Sequence, residues 1–168
     1  MDGLGGRGGT RVSEERAVAA ARALGVPVAV TRHGPVRSLE EAAAARGVAP
    51  ERLVKTLVVR RGDDDHLLVL VPGDRTISWP RLRALLGVSR LSMPSAEDAQ
   101  RATGYARGTI TPFGASPGPH GPWPVVADTR VTGTISIGGG DHGVGLTVEA
   151  EALLAAYDAV VADVTDPA

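Results

Sequence analysis

The sequence contains no cysteine, which excludes disulfides, thiolate catalysis and cysteine-ligated zinc. Aromatic residues make up only 3% of it, so its core has to be built from Val, Leu, Ile and Ala. No apolar run reaches the roughly 18 residues that a membrane-spanning helix needs. The opening "MDGLGGRGGT" lacks the apolar stretch of a secretory signal. A soluble, cytoplasmic protein is the expectation. The formal net charge is −1, so no global field favours nucleic acid, and such a partner has to be met by a local patch. Arg81, Arg83 and Arg90 are candidates for one. Lysine is nearly absent: Lys55 is the only one in the chain.

What is present fits one domain. The chain has 168 residues, 43% of them hydrophobic, with 22 Gly and 12 Pro to make turns and at least one functional loop. Residues 1–12 read as a disordered tail and 13–168 as a single domain. Helices are predicted from Ser13 to Gly25, from Ser38 (capping-box spacing to Glu41) to Gly47, from Ser78 to Gly87, from Ser95 to Gly104 and from Glu149 to Asp158. Strands are predicted over 26–33, 53–60, 67–72, 89–93, 125–128, 134–137 and 144–148, with the second and third joined as a hairpin by "RGDDD", and "AVVADV" closes the chain. Strands and helices mix without strict alternation, which favours an α/β or α+β fold with a mixed, partly closed sheet.

Lys55 lies inside the apolar run "RLVKTLVVR". On a strand, alternate side chains share a face, so Lys55 points with Leu53, Leu57 and Val59 toward a core or pocket. An ammonium held there needs an anion, a carbonyl or a ligand beside it; otherwise it snorkels out along a sheet edge. In "GYARGTITPFG", Gly108 and Gly114 bracket Pro112. Such a loop either connects two elements or turns its backbone N–H groups toward an oxygen of a ligand. "GGGDHG" has the G-x-G-x-x-G form of a dinucleotide fingerprint, but it stands between two strand-like segments rather than opening a helix. It reads instead as a glycine turn lining a site. His33, His66, His120 and His142 have no metal-ligand spacing; His142, in that turn, is the one with functional potential. Asp128 ends a strand, as a turn residue or as one that orients a site. No nucleophile elbow and no Ser/His/Asp set is found.

The succession "VKTLVV", "LLVLVPGDR", "LRALLG", "ATGYARGTITPFG", "PVVADTRV" and "ISIGGG" resembles the YbaK-type aminoacyl-tRNA deacylases, relatives of the editing domain inserted in bacterial prolyl-tRNA synthetases. The resemblance runs from about Val28 to Val164. Its most specific parts are Lys55-Thr56 and Thr103-Gly104-Tyr105 with Gly108, Pro112 and Gly114. It implies a barrel-like mixed sheet surrounded by helices, and hydrolysis, in trans, of the ester joining a wrong amino acid to tRNA, with a mischarged proline tRNA as the favoured substrate. Neither metal nor cofactor is implied. Lys55, Gly108 and Gly114 are the implied catalytic residues. Lys55 would hold the terminal phosphate or sugar, and the loop N–H groups would stabilise the oxyanion. Thr31, Thr56, Thr111, Pro112, Phe113, Gly138, Gly139, Gly140 and His142 are implied in substrate binding. The implied partners are the 3′ end of aminoacyl-tRNA and prolyl-tRNA synthetase.

The sequence also departs from that family. Members that clear cysteine from proline tRNA have a serine at Gly138, an acidic residue at Gly145 and an aromatic at Thr31, and one glycine of a Gly-Gly pair is Thr109 here. Two further readings stay open: a non-catalytic module that holds tRNA ends or a synthetase, and a nucleotide-binding protein using "GGGDHG".

Overall fold

A computed structural model of the chain describes the backbone of residues 2–168 and side chains from Val12 onward. The helix expected from Ser13 is part of α1 (Asp2–Ala23). Ser13 therefore lies inside the helix rather than at its cap. The side chains before Val12 lie outside the described residues, while the backbone expected as a tail over residues 1–12 is, from Asp2 on, part of α1. The helix α2 (Leu39–Ala45) is capped as predicted by Ser38, whose Oγ accepts from Glu41 N. The return bond of the expected capping box goes one residue further back, to Arg37 N.

The strands form three sheets. Strands β1 (Ala29–Arg32), β6 (Thr134–Gly138) and β7 (Val144–Glu149) make an antiparallel sheet in the order β1-β7-β6. The second sheet takes β2 (Val54–Gly62), β3 (Asp65–Pro72), β5 (Val125–Asp128) and β8 (Val160–Ala162) in the order β2-β3-β5-β8. Its β2–β3 pair is the predicted antiparallel hairpin, and the remaining pairs are parallel. A ribbon of β4 (Arg75–Ile77) and β9 (Thr165–Pro167), not anticipated from the sequence, completes the set.

The mixed α/β fold is as expected, but the sheets do not close into a barrel. The first two meet at a single bridge, Leu53 to Ser136. Residues 89–93 form no strand; Ser92 makes one isolated bridge to Arg60. Leu68, Leu70, Ile135, Ile137 and Leu146 fill a core between the two large sheets. Val59, Leu67, Val69 and Val71, on the other face of the second sheet, pack with Leu82 of α3 (Trp79–Leu86). Burial on both faces accounts for the unbroken apolar run of β3. The helices α4 (Ala96–Thr103), capped by Ser95, and α5 (Ala150–Ala156) contribute Ala99 and Leu153 to the first core.

Candidate active site

A gap between β2, Gly138 of β6 and the segments that carry Pro94, Ala99 and Gly108 is a cavity of about 280 Å³. It follows the outer edge of β2. Arg60 exchanges both backbone hydrogen bonds with Ser92, so its N–H and C=O point away from β3. In an antiparallel pair this orientation recurs at every second residue, and the register is unbroken from Val54 to Arg60. The N–H and C=O of Thr56 and Val58 therefore point toward the gap as well. Leu53, Leu57, Val58, Pro94, Ala99 and Ile110 give the cavity apolar walls. Among the described residues its charged lining is Arg46, Lys55 and Arg107, and no carboxylate lines it.

Lys55 is half-buried, and burial lowers its pKa below the usual lysine value, with Asp74 opposing the shift. The carbonyl that the sequence pattern demanded is found: Nζ donates to Arg75 O at 3.0 Å. Two of its three N–H groups remain for a ligand. The neighbouring Thr56 is 8% exposed, and its Oγ1 is buried without a partner.

The loop from Gly108 to Gly114 faces this edge. Gly108 has φ +88°, a conformation that L side chains rarely adopt. Among the described residues the N–H groups of Gly108 and Ile110 make no hydrogen bond, and both residues line the cavity. The far half of the loop is held from behind by three of the chain's five aromatic residues. Tyr105 Oη donates to Phe113 O at 2.7 Å, and Tyr157 Oη to Pro112 O at 2.9 Å. Phe113 packs on Tyr157. Arg16 Nε donates to Gly114 O at 2.8 Å, with its guanidinium 4.3 Å from the centre of the Tyr105 ring. The same helix reaches the glycine turn, where Glu14 N donates to Asp141 Oδ2 at 2.8 Å. α1 thus braces both loops.

Of the residues singled out in the sequence, Lys55, Thr56, Gly108 and Gly138 come together in the cavity. His142 lines an adjoining groove of about 450 Å³ with His33. Arg46 and Gly108 belong to both spaces. Thr111, Pro112 and Phe113 are buried, and Gly114 abuts Tyr105 and Arg16; these four belong to the loop's anchorage. Gly139 and Gly140 shape the turn between β6 and β7, their N–H groups donating to Val144 O and Thr109 O. Asp128 is fully buried and accepts from Arg130 and from Val164 N, as a strand-end tie. Arg81 pairs with Asp163 and Asp166, while Arg83 and Arg90 line a separate groove with Arg60 and Arg61.

The positions that depart from the resembled family are neighbours in space. Thr31 pairs with Gly145, and Gly145 with Gly138, in one row across three strands. A Cβ on Gly138 would lie 2.5 Å from Ile110 O and 3.1 Å from Thr109 O. A Cβ on Gly145 would lie 2.6 Å from Arg46 Cδ. The space vacated in the row is thus taken by the Gly108 loop at one position and by Arg46 at the other. Sequence reasoning missed Arg46, which follows four alanines and reads as an ordinary helix-terminal cation. It also missed Arg107 and Ile110, although both stood inside the quoted loop.

Proline–tRNA ligases are among the curated relatives. That of Caldicellulosiruptor bescii is 38% identical over 81 residues, 48% of this chain and 14% of the ligase. That of Thermosipho melanesiensis is 39% identical over 85 residues, 50% of this chain and 15% of the ligase. The chain thus spans less than a fifth of the length of these relatives. Among solved structures, a protein put forward as a trans-editing enzyme for prolyl tRNA synthetase superposes with a TM-score of 0.80 at 26% identity, covering 92% of this chain and 97% of that one. The hypothetical protein APE2540 superposes with a TM-score of 0.79 at 27% identity, covering 90% and 99%. The family model of the aminoacyl-tRNA editing domain matches residues 33–156. By that match, which spans the β2 edge, the Gly108 loop and the glycine turn, the chain belongs to the aminoacyl-tRNA editing domain family.

Proposed function

We propose that the protein is a trans-acting deacylase that hydrolyses the ester between a wrongly attached amino acid and tRNA, with mischarged proline tRNA as its substrate. The observation that carries this reading is the cavity itself. Among the described residues three cations and no carboxylate line it, beside two backbone N–H groups with no acceptor. Such a place suits a polyanionic strand end whose ester carbonyl becomes an oxyanion. Lys55 and the exposed Arg107 attract the terminal phosphate and sugar. The N–H groups of Gly108 and Ile110 receive the carbonyl oxygen as water adds to its carbon. The tetrahedral adduct then collapses with departure of the ribose oxygen, which takes up a proton. The edge carbonyls of Thr56 and Val58 are the acceptors within reach of the substrate's α-ammonium. Among the described residues Thr56 is the only lining side chain with a hydroxyl, and its Oγ1 has no hydrogen-bond partner to take its proton; water is therefore the nucleophile of this reading.

The test is deacylation of a panel of mischarged tRNAs, beginning with proline tRNA carrying alanine or cysteine, with Lys55→Ala alongside. Hydrolysis of one ester that is lost in a variant of unchanged melting temperature supports the reading. Hydrolysis retained by Lys55→Ala would overturn the assigned role of Lys55. Binding of tRNA without turnover of any ester would leave a module that holds tRNA ends.

A further inference from the structure

We infer that Arg46 selects the acyl group, by donating to an oxygen carried on the acyl side chain; the inference rests on the deacylase reading above. Arg46 and Gly108 are the residues shared by the cavity and the adjoining groove. If the N–H of Gly108 meets the ester carbonyl, the group beside Arg46 is the acyl portion. The exposed Arg107 and Lys55 are left for phosphate and sugar.

The guanidinium is set in place but not satisfied. Its stem lies on Gly145, where any side chain would displace it. Nε donates to His33 Nε2 at 3.1 Å and Nη1 to Ile137 O at 3.4 Å. A guanidinium has five N–H donors, so three remain. Among the described residues no carboxylate pairs with it, and burial disfavours its charge with no anion offsetting that cost. The Oγ1 of Thr56, a lining residue, is also unpartnered but is itself buried, so the guanidinium is the polar group open to the acyl portion. The remaining walls are largely apolar. An aliphatic acyl group would leave the remaining Arg46 N–H groups unsatisfied. One ending in a hydroxyl or carboxylate oxygen would satisfy them, and a hydrogen bond to a charged group is worth roughly tenfold to a hundredfold in affinity.

The experiment measures binding of hydrolysis-resistant 3′-aminoacylamino-3′-deoxyadenosines carrying alanyl, seryl or aspartyl groups, alongside hydrolysis of the corresponding tRNA esters. The proteins are the wild type, Arg46→Leu and Arg46→Lys, each checked by thermal melting. The wild type is expected to bind the better of the seryl and aspartyl probes at least about tenfold more tightly than the alanyl probe. Arg46→Leu should close that gap by weakening the oxygen-bearing probe alone, and Arg46→Lys should keep part of it. Equal affinities in the wild type, or a gap that survives in Arg46→Leu, would overturn the inference, as would failure of all three probes to bind. The preference without hydrolysis of any ester would remove the deacylase reading and leave Arg46 as the selecting residue. Hydrolysis of all esters at one rate, with equal binding, would do the reverse.

Discussion

Replacing Gly138 by serine, the residue that the resembled deacylases carry there, should damage this protein rather than restore it. The new Cβ would lie 2.5 Å from Ile110 O, with Thr109 O at 3.1 Å. The first contact is roughly 1 Å short of an ordinary van der Waals separation. The obstacle is backbone, so no rotamer change relieves it. The loop itself has to move, and its far half is pinned by Tyr105, Tyr157 and Arg16. Overpacking of this kind costs about 1–3 kcal/mol. In a chain of this length about 2 kcal/mol lowers the melting temperature by roughly 4–8 °C. The displaced segment also carries the N–H groups of Gly108 and Ile110, and a shift of about 1 Å in a positioning group costs on the order of 100-fold in rate. Thermal melting and deacylation of the best ester, measured on the same preparation, check both numbers. A Gly138→Ser variant that melts within 1 °C of the wild type with undiminished activity would refute the steric argument and the placing of the loop against β6.

Further outcomes follow from the same geometry. Gly145→Asp meets only the flexible Arg46 side chain and Ser136 Oγ within 3 Å, so its melting temperature should fall by less than that of Gly138→Ser, while any preference for oxygen-bearing acyl groups should be lost. Tyr105→Phe removes the buried donor to Phe113 O; leaving that acceptor unpaired should cost about 1–3 kcal/mol, read by urea unfolding, and a neutral result would dissociate the aromatic clamp from loop stability. His66 is buried, and its pKa is lowered, by burial first and by Arg60 next. The unfolded chain therefore binds a proton below the ordinary histidine value, near 6.5, before the native protein does. Stability should be fully present above that pH and should fall as pH drops toward the lowered native pKa; His66→Phe should flatten this part of a melting-temperature profile between pH 7.5 and 5, and an unchanged profile would exclude His66 as its source.

Much was legible in the sequence because it depends on local pattern. The β2–β3 hairpin follows from two β-branched runs around a polar turn, and the Ser38 and Ser95 caps from residue type at a helix start. The inward face of Lys55 follows from the two-residue period of a strand. "GGGDHG" could be taken as a turn between strands because helix and strand periods differ on its C-terminal side. The small β4–β9 ribbon was not legible, since three-residue strands carry too little periodicity. Barrel closure was implied by resemblance, and the structure has two sheets meeting at one bridge.

The site divides along the same line. By itself the sequence determined that a lone lysine faces inward and that a glycine–proline loop is available to present N–H groups, because strand alternation and backbone freedom are properties of a few consecutive residues. Only the tertiary structure decided that Thr31, Gly145 and Gly138 form one row and that the Gly108 loop rests on it. It alone placed Arg46, from the end of another helix, in the space a missing side chain leaves. Those relations join residues as far apart in sequence as Thr31 and Gly145. They are set by sheet register and by which atoms fill a void, quantities that no local pattern encodes.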